Sequence, residues 1–223
     1  MSNDSLWVND DCFNVLPTIE DNSVQLVFTG IPDSFDLGMD DDLAGYEKFV
    51  DDSLSHFIRI TKDTGFVGLC QTDRKINGEV SSKHSMLIYK MKQLGYIMKD
   101  YKIVLKRLMP NPYKDQFIFP YFHFCIFTKK GTIKRTGEWM RNILDYKMAT
   151  KNTFYVFPDE FAKLVIEFLT KEEDLVVDPF AGTGIIPFAA KEMNRKYIGV
   201  EIEKATYNTS KMMNTNLTDF FDN

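Results

Sequence analysis

Short, unbroken apolar runs alternate along this chain with stretches whose apolar residues recur three or four positions apart. The runs Leu6-Trp7-Val8, Val24 to Thr29, Gly65 to Leu69, Tyr101 to Leu105, Phe122 to Phe127, Leu175 to Val177 and Tyr197 to Ile202 predict strands. Phe49, Val50, Leu54, Phe57 and Ile58 have helical spacing and predict a helix over 46–61. Leu87, Tyr89, Met91 and Leu94 predict another over 86–94. Further helices are expected over 161–169, 185–193 and about 205–213, with a tail over 214–223; Pro158 sits near the first turn of the 161–169 helix, where a missing N–H costs nothing. Alternating strands and helices predict an α/β fold with a mostly parallel, doubly wound sheet. The strands at 101–105 and 122–127 are expected to pair antiparallel at one end of it.

Composition narrows the class. A chain of 223 residues, 44% hydrophobic and 14% aromatic, is long enough for one well-packed domain and too apolar for wholesale disorder. Its net charge of -5 argues against a long basic footprint on duplex nucleic acid. Cys12, Cys70 and Cys125 are scattered, which suits reduced thiols in an intracellular compartment. The polar, acidic start MSNDSLWVND lacks a secretory pattern, and no apolar run reaches membrane-spanning length, so a cytoplasmic or nuclear protein is expected. His56, His84 and His123 are dispersed and there is no CxxC pair, so no metal site is expected. The acidic run Met39-Asp40-Asp41-Asp42 reads as a solvated loop.

The segment from Leu175 to Glu201 carries the clearest chemistry. A strand ends at Asp178, a glycine-containing turn follows (Asp178-Pro179-Phe180-Ala181-Gly182-Thr183-Gly184), then a helix, then a second strand ending at Glu201. This is the plan of a nucleotide-binding crossover, in which small residues let a ligand approach the backbone at a helix N-terminus. An acidic residue ending the second strand can accept both ribose hydroxyl protons. The GxGxxG form is absent, so no pyrophosphate cradle is implied. The turn suits a compact zwitterion joined to an adenosine: free N–H groups meet its carboxylate and Asp178 attracts its amino or sulfonium group. The plain alternative is a strand-turn-helix in which Gly182 and Gly184 only relieve strain.

DPFAGTG followed by KYIGVEIE resembles the cofactor motifs of the amino-methyltransferases of DNA, which methylate the exocyclic amine of adenine or cytosine. The resemblance extends over nearly the whole chain and is to the permuted beta subclass, whose substrate half precedes the cofactor turn. Asn9 to Leu16 is similar to that subclass's GDC-type segment, and Lys151 to Leu164, with Phe157-Pro158, to its helix entry before the cofactor turn. Asp73 to Gly78 and Phe127 to Gly131 also fall where the subclass has similar runs. The resemblance implies a Rossmann-like S-adenosylmethionine-dependent methyltransferase in one domain, 1–150 as substrate half and 151–223 as cofactor half. It further implies that Asp11, Cys12, Thr29, Phe157, Asp178, Phe180, Ala181, Gly182, Thr183, Gly184 and Glu201 hold the cofactor.

In the family, a strand leads into Asp/Asn/Ser-Pro-Pro-aromatic. The first side chain and a proline carbonyl accept hydrogen bonds from the target amine, and the ring stacks on the extruded base. Here the lead-in is intact, yet the motif reads Gly30-Ile31-Pro32-Asp33, which removes both the side-chain acceptor and the ring. One reading gives the acceptor role to Asp33, backbone carbonyls to the Pro32 region beside Gly30, and stacking to Phe35 or Tyr121. Another takes the chain as a non-catalytic partner subunit; a third, as a small-molecule or protein methyltransferase. In all of these Ile31 can be core and Asp33 a cap. The intact cofactor motifs favour an active, divergent enzyme acting on a nucleobase amine, adenine first, in DNA or RNA. The recognition region, about 107–121, is short and mixes Arg107 and Lys114 with Tyr113, Phe117, Phe119 and Tyr121. That composition suits a single-stranded or terminal nucleotide, with a homodimer or partner subunit supplying further contacts. Lys129, Lys130, Lys134, Arg135 and Arg141 form a second basic cluster that reads as phosphate-binding or as a solvated loop.

Overall fold

The computed structural model describes residues 5–39, 41–76, 79–105, 121–133, 139, 141–146 and 157–210. Its frame is an eight-stranded sheet in the order β1-β10-β9-β2-β3-β7-β6-β8. The strands are β1 (Leu6–Asn9), β2 (Val24–Gly30), β3 (Thr61–Gln71), β6 (Ile97–Leu105), β7 (Tyr121–Thr128), β8 (Ile143–Asp145), β9 (Leu175–Asp178) and β10 (Lys196–Glu201). A separate hairpin pairs β4 (Arg74–Ile76) with β5 (Glu79–Ser81). β1, β10, β9, β2 and β3 are mutually parallel, β7 runs antiparallel between β3 and β6, and β8 pairs parallel with β6. The expected antiparallel pair is therefore present at that end of the sheet. β8, three residues long and too short for periodicity to reveal, closes the edge beyond it.

The helices are α1 (Cys12–Val15), α2 (Leu43–Ile60), α3 (Lys83–Gln93), α4 (Asp159–Leu169) and α5 (Ile185–Glu192), with helical backbone again over 204–210. In α2 the buried Tyr46, Val50, Ser53, Leu54, Phe57 and Ile60 form one stripe at i, i+3 and i+4 spacing. Asp42 starts that helix: its carboxylate accepts the Gly45 N–H at 2.9 Å. The acidic loop before α2 thus does more than stay solvated. Two apolar cores flank the sheet. One gathers α1, α2 and α3 over Val24, Val27, Val67, Leu69, Cys125 and Phe127. The other gathers α4 and α5 over Leu26, Phe28, Phe66, Phe124 and Val176.

Chain order sets where a ligand can sit. From β9 the chain proceeds outward to β10, while from the adjacent β2 it proceeds the other way to β3. The carboxyl ends of β9 and β2 therefore flank the point where the winding reverses, the place where doubly wound sheets bind ligands.

Candidate active site

Asp178 ends β9 and is 3% exposed. Its carboxylate accepts from the Phe180 N–H at 3.3 Å and faces the Thr29 hydroxyl of β2. Burial pushes it up to about 7; those two donors oppose the rise and nearby Glu201 adds to it. Among the described residues Asp178 has no ion-pair partner. A buried carboxylate short of positive charge is what an ammonium- or sulfonium-bearing ligand would complete. Glu201, half-buried at the end of β10, is also raised, first by burial; its Oε1 accepts the Glu203 N–H at 2.7 Å, and this donor and the Gly182 N–H favour the charged form and oppose the rise.

The turn between them is drawn tight by two backbone bonds, Ala181 N–H to Val200 O at 2.9 Å and Gly184 N–H to Ala181 O at 2.8 Å. Gly182 (φ +52) and Gly184 (φ +81) both take the left-handed conformation. A β-carbon built on Gly182 meets nothing within 4 Å, so the backbone is bare on the side a ligand would approach. On Gly184 it would lie 2.5 Å from the Phe188 ring. Gly184→Ala is accordingly expected to cost about 2 kcal/mol from its left-handed φ and the displaced ring, measured as a shift of the urea midpoint. Ser210, fully buried, sets its hydroxyl between the Thr206 carbonyl of its own helix, at 2.8 Å, and the Gly182 carbonyl, at 3.3 Å, so the 204–210 helix lies against the turn. These features fit S-adenosylmethionine: buried negative charge, an acidic strand end and an uncrowded backbone.

The remaining expected cofactor residues divide. Asp11 caps α1 by accepting the Phe13 N–H at 2.9 Å, and Asn9 beside it donates to the Glu201 and Ile202 carbonyls, so this segment lies against the end of β10. Cys12 is 5% exposed in the first core, where burial and then Asp11 push its thiol up to about 12. Phe180 packs on Phe49 and Phe57. Phe157 packs on Phe28, Phe122 and Phe161 in the second core. Thr183 lies partly buried in the turn.

The altered motif extends from the end of β2. Gly30 is exposed, and a β-carbon there would come only to 3.6 Å from the Cys70 carbonyl, so crowding does not explain the missing side chain. Ile31 is 4% exposed and belongs to the core, as its plain reading has it. The Pro32 carbonyl accepts from the Tyr46 hydroxyl at 3.0 Å. Asp33 does not stand alone: its carboxylate pairs with the Lys83 ammonium and accepts from the Gln71 amide at 3.1 Å. Burial alone pulls Lys83 down to about 8; the contact with Asp33 works in the opposite direction. Phe35 is 64% exposed on the turn that follows. Tyr121 begins β7, edge-on to His123, whose strand partner is Gln71. Lys114, the 107–120 stretch, Lys134, Arg135 and 211–213 lie outside the described residues.

Two readings change. Lys129 and Lys130 both pair with Asp63, at 3.6 and 2.6 Å, near the amino end of β3 and away from the turn. They are not a phosphate patch beside this site. The histidines are not all dispersed in space: Asp73, His84 and His123 converge. Tyr46, Gln71 and Lys83 were missed from the sequence because no motif marks them; only the fold brings Tyr46 to Pro32, and Gln71 and Lys83 to Asp33.

A family model described as DNA methylase matches residues 24–212. The chain belongs to the DNA methylase family. The resemblance to the amino-methyltransferases of DNA is thereby met. A 70-residue stretch is 43% identical to the type II methyltransferase M.HindIII of Haemophilus influenzae, covering 30% of this chain and only 23% of that relative. Among solved structures, TTHA0409 of Thermus thermophilus, complexed with S-adenosyl-L-methionine, has a TM-score of 0.71 at 23% identity, covering 91% of both chains. The cytosine-N4-specific PvuII DNA methyltransferase has a TM-score of 0.74 at 19% identity, covering 95% of this chain and 86% of that one. These establish a Rossmann-like methyltransferase fold. Among the described residues no helix is long and apolar enough to cross a membrane.

Proposed function

We propose that this chain transfers the methyl group of S-adenosylmethionine to an exocyclic amine of a nucleobase in DNA. The adjacency of Asp178 and the Gly30–Asp33 segment, at the carboxyl ends of neighbouring strands, carries this reading. When bound, the cofactor supplies an electrophilic methyl carbon on a positively charged sulfur. Asp178 would hold its ammonium and Glu201 its ribose hydroxyls, with the bare backbone at Gly182 letting it approach the turn. The Asp11–Cys12 segment, Thr29 and the rings of Phe157 and Phe180 bound the remainder.

At the acceptor, Asp33 and the Pro32 carbonyl take hydrogen bonds from the amine and aim its lone pair at the methyl carbon; positioning and electrostatics supply the rate. Gly30 leaves room for the amine to approach, and the exposed Phe35, or Tyr121 at the start of β7, would offer a ring for the base removed from its stack. Lys114 lies in the segment that would meet DNA phosphates. Adenine is the base the resemblance names first; the match to a cytosine-N4 enzyme puts cytosine beside it. The altered motif favours one second reading, a non-catalytic subunit of a methyltransferase complex.

Nucleoside mass spectrometry after incubation of the protein with cofactor and duplex or single-stranded DNA separates these readings. N6-methyladenine or N4-methylcytosine is the expected product. No methylated nucleoside from any DNA or RNA would sink the enzyme reading in favour of the subunit.

A further inference from the structure

Asp73 follows β3, His84 lies in the first turn of α3, and His123 lies on β7, yet the three meet. One potential ligand atom from each lies within 4.8 Å of the other two. Asp73 Oδ1 is 2.8 Å from His84 Nδ1, and Asp73 Oδ2 is 3.2 Å from His123 Nε2. The imidazoles stack with centroids 3.7 Å apart. Asp73 and His123 are buried and His84 is nearly so.

We propose that Asp73, His84 and His123 form a binding site for one divalent first-row transition ion, Zn²⁺ being the reference case. Two imidazoles and one carboxylate are a donor set such ions favour. Bonds of about 2.1 Å place neighbouring ligands of a tetrahedral ion about 3.4 Å apart. The two carboxylate-to-nitrogen distances, 2.8 and 3.2 Å, are already close to that. They run to different oxygens of Asp73, so side-chain rotation must bring one oxygen, or both, and the two nitrogens around the ion and open the ring stack.

The outer contacts support the assignment. A metal-bound imidazole directs its second nitrogen to an oxygen that fixes the ring. His123 Nδ1 contacts the Tyr101 hydroxyl, leaving Nε2 toward Asp73. His84 Nε2 lies 3.5 Å from the Ser85 hydroxyl, leaving Nδ1 toward Asp73 with the Ser82 hydroxyl 3.2 Å away. Ser82 or water would complete the sphere. The ion's place in the fold gives it a consequence: Gln71 lies two residues before Asp73 and Lys83 immediately before His84, and both touch Asp33. A bound ion would pin the two segments that hold Asp33. The ion would bind whether or not Asp33 accepts the target amine.

The test is direct titration of the chelator-treated full chain with Zn²⁺ by calorimetry at neutral pH, and with Co²⁺ by visible absorption. One ion per chain is expected, with a raised thermal midpoint. His84→Gln and His123→Gln are each expected to weaken binding at least tenfold, and Tyr101→Phe by about tenfold. Circular dichroism and cofactor titration check that each variant folds. If His123→Gln does not fold, His84→Gln, at the less buried of the two histidines, decides alone. No binding above that of His84→Gln would overturn the site and leave the cluster a hydrogen-bonded polar network.

Discussion

Asp178→Asn is expected to weaken S-adenosylmethionine binding about a hundredfold while making the cofactor-free protein more stable above neutral pH. The loss follows from replacing a buried, charge-assisted contact to the cofactor's ammonium; about 2.7 kcal/mol corresponds to that factor. The gain follows from linkage. Burial raises the folded-state pKa of Asp178 to about 7, well above its ordinary carboxylate value. The folded chain therefore binds a proton that the unfolded chain has released. Its contribution to stability is full below the unfolded pKa and is lost as pH rises toward 7. Asparagine, which never ionises, escapes that loss. In the natural protein the cofactor's positive charge favours the ionised carboxylate, so affinity should rise between pH 6 and 8 and binding should release a proton. Calorimetry in buffers of different ionisation enthalpy reads the proton, and urea titrations at pH 6 and 8 read the stability. A variant that loses affinity and stability together would make Asp178 a structural residue and remove it from the cofactor site.

The cofactor half was legible because its information is local. Strand, acidic end, glycine turn, helix and second acidic end follow one another within 175–201, and each leaves a residue-type signature that needs no partner elsewhere. Long elements such as α2 and β7 were legible for the same reason, since apolar spacing records burial on one face. The substrate half was only partly legible. Its lead-in strand and the departure at Gly30 to Asp33 stand in the sequence, but the groups engaging Pro32 and Asp33 arrive from three other elements: Tyr46 on α2 at the Pro32 carbonyl, Gln71 on β3 and Lys83 on α3 at the Asp33 carboxylate. A lysine after two serines reads as surface, and only tertiary packing buries it to 4% exposure. The His84–His123 stack joins residues 39 positions apart by the same means. Lys129 and Lys130, open in the sequence between a phosphate-binding cluster and a solvated loop, show the converse: adjacency in sequence says nothing about the Asp63 that pairs with both.

Asp33→Ala is expected to destabilise the protein by about 3 kcal/mol and to abolish most methyl transfer, and the two effects can be separated. The first arises because Lys83 is left buried without its carboxylate, and breaking such a pair costs far more than the pair contributes. Lys83 has a folded pKa lowered to about 8 by burial. Without Asp33 the folded chain holds fewer protons than the unfolded one from that value up to the ordinary lysine pKa. Stability of Asp33→Ala should therefore recover across that window as the pH rises, the reverse of what the raised carboxyl of Asp178 does. Lys83→Met in the same chain removes the stranded charge and should restore most of the loss at neutral pH, read as a return of the urea midpoint. Activity then decides the role of Asp33. If Asp33 accepts a hydrogen bond from the target amine, the stabilised double variant stays slow, with kcat reduced at least tenfold and cofactor affinity unchanged. If the double variant regains activity along with stability, Asp33 serves only to keep Lys83 buried. The amine acceptor must then be sought among the backbone carbonyls of 30–32.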